Sequence, residues 1–287
     1  MRPIVVSVGP LATASANNIC TTQTPATTNG VLALNGSLAT GTFAGTAAIA
    51  TNILTVTVTT SGVLSVGDRV SGAGVLDGTV VQATLTGTGG NGTYILNKSQ
   101  TFSSGTVYGN QVATLDLARR VLFTTVSNES GKTITVTGTN IAGAAITETV
   151  TGPNATTGYT VQSFKTVTSI AASAAFTGAV TVGTNTIADS AWVRFDDFAP
   201  SGISVQCTAS GTVNYTVQTT LDDPNGATNS VAPESVTWVS TAVTALVAAT
   251  TTQQSSALVT PAFAKILLNS GTGTVTATFL QSSNVPL

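Results

Sequence analysis

Four of the eleven acidic residues of this chain stand in two adjacent pairs. Asp196 and Asp197 lie in WVRFDDFAPSG (192–202), beside Trp192, Arg194, Phe195 and Phe198, and Asp222 and Asp223 follow in TTLDDPNG (219–226). Such clustering stands out in a sequence only 7% charged. Paired carboxylates can act as acid and base on a glycosidic bond, hold a hard cation, or form the polar part of a structural joint. Neighbouring strand residues point to opposite faces, so Asp196 and Asp197 converge only where the backbone bends, as Pro200 invites by restricting Ala199. Residues two apart share a face. Trp192, Arg194 and Asp196 are therefore placed together, ready for lateral pairing or for pairing across a subunit boundary. An aromatic ring beside an arginine fork is favoured at interfaces. DDPNG offers oxygens from Asp222, Asp223 and Asn225, fewer than the roughly six to eight that calcium takes, and without EF-hand spacing. The first expectation is a structural joint, then interface ion pairs, then calcium.

Other chemistries are thinly supported. The chain contains no histidine, which removes Ser-His-Asp and Cys-His catalysis and any histidine-ligated metal. Its lysines, Lys98, Lys132, Lys165 and Lys265, stand in no recognisable partner motif. SGKT (130–133) ends like a phosphate loop, but the required earlier glycine is Val126, and the strand-like TITVTG follows where a helix is needed. Cys20 and Cys207 are too few and too far apart for a disulfide framework or zinc site, and are expected as buried thiols. Arg119-Arg120 is the one adjacent basic pair. One arginine is expected to pair with an acid and the other to be solvated, or the pair touches an acidic patch on a neighbouring subunit. No catalytic, cofactor-binding or metal-binding residue is assigned. The candidate subunit-interface residues are Arg119, Arg120, Trp192, Arg194 and Asp196.

The elements that must carry these residues read as strands. The 287 residues have a net charge of -2 and a mean hydropathy of +0.36. That is too balanced for nucleic-acid binding and too apolar for disorder. No run approaches the ~20 apolar residues of a membrane helix. The apolar run Ile4–Val8 is shorter than the core of a secretory signal, about 7–15 residues, so synthesis in the cytoplasm is expected. Period-two alternation of Thr and Val recurs in TNILTVTVTTSG (51–62), GKTITVTGTN (131–140), AITETVTG (145–152), GAVTVGTN (178–185), ISVQCTA (203–209) and GTVNYTVQTT (211–220). These β-branched residues suit a pleated surface. ATLDLARRVLF (113–123) fits the same alternation, and AKILLNSGTGTVTATFLQ (264–281) reads as a hairpin about SGTG. The predicted class is all-β, a multi-domain antiparallel β-sandwich architecture. Residues 1–33 with 110–187 form one sandwich, 34–109 an inserted glycine-rich β module, and 188–287 a C-terminal sandwich.

The phrases RRVLFTTVSNESGKTITVTGTNIAGAAITETVTGPN, SFKTVTSIAASAAFTGAVTVGTN and WVRFDDFAPSGISVQCTASGTVNYTVQTTLDDPN resemble virion structural proteins of tailed bacteriophages, most of all the small β-rich proteins that decorate or cement capsids. Residues 34–109 resemble glycine-rich modules of phage fibres. The resemblance implies a place on the capsid surface of a virion, and the charge-poor exterior, which calls for cover by neighbours, leads to the expectation of a homo-oligomer, with a trimer favoured. Its partners would be the major capsid protein or other virion proteins, with no nucleic acid, membrane or cofactor. The alternative is a head-fibre or tail-fibre component that binds host surface or glycans, with 34–109 projecting. A polysaccharide-degrading virion enzyme ranks last.

Overall fold

A computed structural model describes residues 3–195, 202–257 and 261–281. Every regular element in them is a strand apart from two 3-10 turns, Pro233–Ser235 and Thr244–Leu246, and all strand pairings are antiparallel. The protein is all-β, as its alternation predicts. The ambiguous run 113–123 lies inside the strand Val112–Thr125.

An 11-stranded sheet runs through the molecule. Its main path passes from Ala145–Thr151 and Thr133–Thr139 through Thr157–Ala172, Val112–Thr125 and Val180–Asp189. It continues into Phe263–Gly271, Val213–Thr220 and Val239–Ser240. A four-stranded sheet, Ile4–Val8, Thr274–Gln281, Ile203–Ser210 and Gln253–Ala257, faces the latter end. A third sheet belongs to the inserted module and is built on Phe43–Gly62 and Gly92–Gly109.

Three hydrophobic cores match these layers. One gathers Val121, Phe123, Val136, Phe164 and Val182 with Ile19, Cys20, Leu32 and Leu34 of the N-terminal segment. A second is centred on Phe43, Leu54, Tyr94 and Val107 of the inserted module and takes in Val31. The third fills the C-terminal sandwich with Tyr215, Ile266, Val275 and Phe279, and it also takes in Val8 and Leu11. The strand Ile4–Val8 pairs with Thr274–Gln281 along its whole length. Residues 4–11 therefore belong to the C-terminal sandwich and not, as the sequence suggested, to the body formed with 110–187.

The hairpin expected at 264–281 is also corrected. Phe263–Gly271 pairs with Val213–Thr220 in the large sheet, whereas Thr274–Gln281 pairs with Ile203–Ser210 in the small one. The chain turns a corner between two layers instead of folding back in one. The same happens between Ile203–Ser210 and Val213–Thr220, and both corners read Ser-Gly-Thr (210–212 and 270–272). Gly211 and Gly271 take left-handed φ values of 77° and 111°, which glycine adopts at little cost. The corners nest: a Cβ on Gly211 would lie 3.2 Å from Gly273 Cα, and Gly273 N donates to Thr212 O at 2.9 Å. The physical reason is burial. Both runs carry an apolar face, and folding them over one another sets those faces together as the sandwich core.

Within the inserted module, the 20-residue strand Phe43–Gly62 doubles back near Thr51, whose φ is 57°. Thr57 Oγ1 donates to Thr46 O at 3.2 Å and Val63 N to Thr42 O at 3.0 Å. The module returns to the body where it left, with Thr42 N donating to Gly109 O at 2.9 Å.

Candidate functional site

Among the described residues, those singled out in WVRFDDFAPSG and LDDPNG meet through an ion pair. Val193 and Arg194 pair with Ala264 and Phe263. This places Val193 and Phe195 in the core and leaves Trp192 and Arg194 on the other face. Arg194 reaches Asp223 at 3.1 Å and lies 5.9 Å from the Phe263 ring centre. Asp196 and Asp197 fall outside the described residues.

The second acid pair is held by its own turn. Asp222 Oδ2 accepts from Thr237 N at 2.6 Å, and Asp223 Oδ1 accepts from Asn225 N at 2.7 Å. With Arg194 on the other oxygen of Asp223, these carboxylates serve as a joint between the turn, the segment before Trp238 and the strand at Arg194. No three His, Cys, Asp or Glu side chains converge as a metal site among the described residues.

Arg119 is not exposed for a neighbour. Its side chain is 1% accessible and binds both oxygens of Asp116 at 3.1 Å. Its Nε donates to Asn185 O at 2.9 Å, joined by Nη2 on the same carbonyl. The cause is a break in the ladder. Register with Val112–Thr125 shifts between Thr184 and Ala188, and the Asn185 carbonyl at the shift is satisfied by the guanidinium. The expected acid partner of one arginine is thus Asp116. Burial acts to raise the Asp116 pKa, but hydrogen bonds from Ala12 and Arg119 outweigh it and hold the carboxyl below its ordinary value.

The lysine of SGKT is equally structural. Lys132 Nζ lies 2.6 Å from Glu129 Oε2, while Thr177 N and Gly178 N donate to Oε1 at 2.9 and 2.8 Å. Glu129 is fully buried. Its carboxylate engages the Lys132 ammonium. Burial pushes its pKa up, yet hydrogen bonds from Lys132, Gly178 and Thr177 bring it below the ordinary range. Cys20 and Cys207 are free, buried thiols. Burial lifts Cys207 to about 11 against a hydrogen bond with Tyr215, so neither thiol is poised as a nucleophile.

Arg120 and Trp192 come together elsewhere. A cleft of about 330 Å3 lies where the large sheet passes from the central body into the C-terminal sandwich, and both residues line it. Trp238 closes it beside Trp192, with ring centres 5.0 Å apart at 66°. On the floor, Lys265 Nζ contacts Asp189 Oδ2 at 2.7 Å, both side chains less than a tenth exposed, and sits 4.5 Å from the Trp238 ring centre. Glu148, on the cleft wall, is engaged by Val161 N and Gln162 N at 2.7 and 2.8 Å.

No family model, curated protein or solved structure matches this chain. The cleft is therefore read from its own chemistry. Among the described residues five buried polar side-chain atoms lack a hydrogen-bond partner, and four of them, Arg120 Nε, Asn140 Nδ2, Ser163 Oγ and Asp189 Oδ1, belong to residues that line it. Buried polar atoms are ordinarily satisfied; these four are enclosed among the residues that form the cleft wall, with almost no accessible surface of their own. Asn140, Ser163, Asp189, Trp238 and Lys265 were not singled out from the sequence. One signal was available: Lys265 stands alone among apolar neighbours in FAKILL (263–268), and a buried ammonium needs a carboxylate.

Proposed function

We propose that this chain is a structural component of a bacteriophage virion, a decoration or cement protein of the assembled head. The supporting observation is its surface. Four of its few charged side chains, Arg119, Glu129, Asp189 and Lys265, are buried, leaving the exterior poorer in charge than the composition suggests. Large apolar side chains stand exposed in their place, among them Val5, Val63, Val66, Val161 and Leu221. Isolated soluble proteins carry more surface charge than this, and apolar surface of this kind suits contact with neighbours. At the open end of the C-terminal sandwich, the edge strands Gln253–Ala257 and Val239–Ser240 flank an apolar groove of about 660 Å3.

The mechanism is linkage. A protein that binds the assembled shell better than free shell subunits stabilises the shell by that difference in affinity, and repetition over a symmetric lattice multiplies each contact. The fibre reading calls for exposed aromatic platforms on the inserted module, where Phe43 and Tyr94 are buried and Phe102 and Tyr108 half-buried. The purified protein is expected to be a trimer by light scattering at dilute concentration, and to raise the melting temperature of heads that lack their decoration. A well-behaved monomer that leaves such heads unchanged refutes the proposal.

A further inference from the structure

We infer that Lys265 and Asp189 condense to a covalent amide, an isopeptide bond that ties the central body to the C-terminal sandwich. The pair itself carries this, independently of the virion reading.

Register puts the two side chains together. Asp189 pairs with Leu267 across antiparallel strands, so Lys265, two residues from Leu267, lies on the same face at the diagonal position. That diagonal is about 7–8 Å, which a lysine stem spans. The backbone between them is pinned: Ser190 N donates to Ile266 O at 2.9 Å, and Ile266 N donates to Ser190 Oγ at 2.9 Å. Lys265 Nζ thus lies 2.7 Å from Asp189 Oδ2, and the carboxyl carbon is one bond further on. Groups held in reacting contact reach effective molarities of about 10⁵–10⁸ M, far above the concentration of the water that opposes condensation.

Burial favours the product. Lys265 and Asp189 are 6% and 7% accessible, and the Trp238 ring centre lies 4.5 Å from the ammonium. An enclosed ion pair is costly unless its remaining donors and acceptors are met. Here they are not. Among the described residues the ammonium finds one oxygen, Oδ2, and Oδ1 has no partner. The pair of Lys132 with Glu129 is the contrast, since two backbone amides serve the second oxygen of Glu129 and Lys132 also reaches Thr177. Condensation cancels both charges of the Lys265 pair and leaves one N–H and one C=O.

The step balances without a co-reactant. One ammonium proton crosses to Oδ2. The freed amine adds to Cγ and forms the C–N bond. A second proton passes from nitrogen to Oδ2, the Cγ–Oδ2 bond breaks, and water departs. Oδ1 stays as the amide oxygen, and the nitrogen keeps one hydrogen. The bond falls at a short ladder. The two halves of the large sheet are joined there by Ala188 with Leu268 and Asp189 with Leu267, and, past a break, by Val193 with Ala264 and Arg194 with Phe263. A covalent link holds that ladder when heat or force opens its hydrogen bonds.

Mass spectrometry of the intact, folded protein is the test. The expected mass is that of the sequence less one water. Trypsin cannot cut at an acylated Lys265, so the digest should contain residues 166–194 joined to residues 195–287, with fragmentation placing the link at Asp189 and Lys265. Lys265→Arg keeps a cation opposite Asp189 but supplies no amine. It should lose the link entirely, restore the full mass and release 166–194 as a separate peptide. The measurement on the unmutated protein decides even if that variant does not fold. A folded parent protein at the full sequence mass overturns the inference. So does a water lost elsewhere, as by ring closure at Asp77-Gly78, or a link to a second copy of the chain.

Discussion

Glu129 shows how this chain treats a charge. The carboxylate is completely enclosed, yet three donors on three different residues hold it ionised. Its pKa lies below the ordinary 4.5 in the folded state. A carboxyl with a depressed pKa contributes stability above its unfolded value, and that contribution disappears as pH falls through the folded value. Glu129→Gln should therefore cost about 3 kcal/mol at pH 7, because Lys132 and two amides lose their anion. The gap to the parent protein should close as pH drops below about 4.5, which urea unfolding across pH 3–7 would measure; a constant gap refutes it. Little of this was legible in the sequence. SGKT looks the same whether its lysine meets a phosphate or a neighbouring glutamate. Parity along the strand separated Arg119 from Arg120, as the structure does, but could not say that a ladder break at Asn185 would draw Arg119 inward.

At the scale of elements, the alternating runs located nine of the nineteen strands among the described residues, because Thr-Val repeats leave the backbone few other uses for their side chains; Ser15–Gln23 and Thr157–Ala172 are among those not picked out this way. It could not say which sheet each strand joins. The run 264–281 met every local condition for a hairpin, and its two halves lie in different layers. The information that decides this is long-range: each half pairs with a half of the run 203–220. The corner glycines are the local trace of it. At Gly271, φ is 111° and an added Cβ would sit 2.3 Å from Thr212 O. Gly271→Ala should cost at least about 2 kcal/mol, read as a lower denaturation midpoint. Gly131→Ala, whose Cβ would meet nothing within 4 Å, should change the midpoint little. Equal effects at the two positions would show that the nested corners are unimportant. The cleft was illegible for the same reason as the sheet order, since its residues come from Ala118 to Lys265 and only the shared sheet gathers them.

For the whole molecule, composition indicated the class; of the segment 34–109 expected as a module, residues 43–109 carry the separate sheet, while Ala39–Thr40 pairs with Val112–Thr125 in the large one. The module's core also takes in Val31 and packs against Ala171 of the body, and its ends are stitched by the Thr42–Gly109 hydrogen bond. Removing residues 43–109 and joining Thr42 to Asn110 should leave a folded protein whose tryptophan emission is unchanged, because the cleft takes no side chain from that segment. Loss of cooperative unfolding would mean that the contacts of Gly30 and Val31 with Leu76 and Val75 are essential to the rest. The pairing of Ile4–Val8 with Thr274–Gln281 has a bearing on how the protein is made. Ile4–Val8 leaves the ribosome long before its partner Thr274–Gln281 is translated. At about 5–20 residues per second, it stays without that partner for tens of seconds, so the sandwich is completed after the body and the module have had time to form.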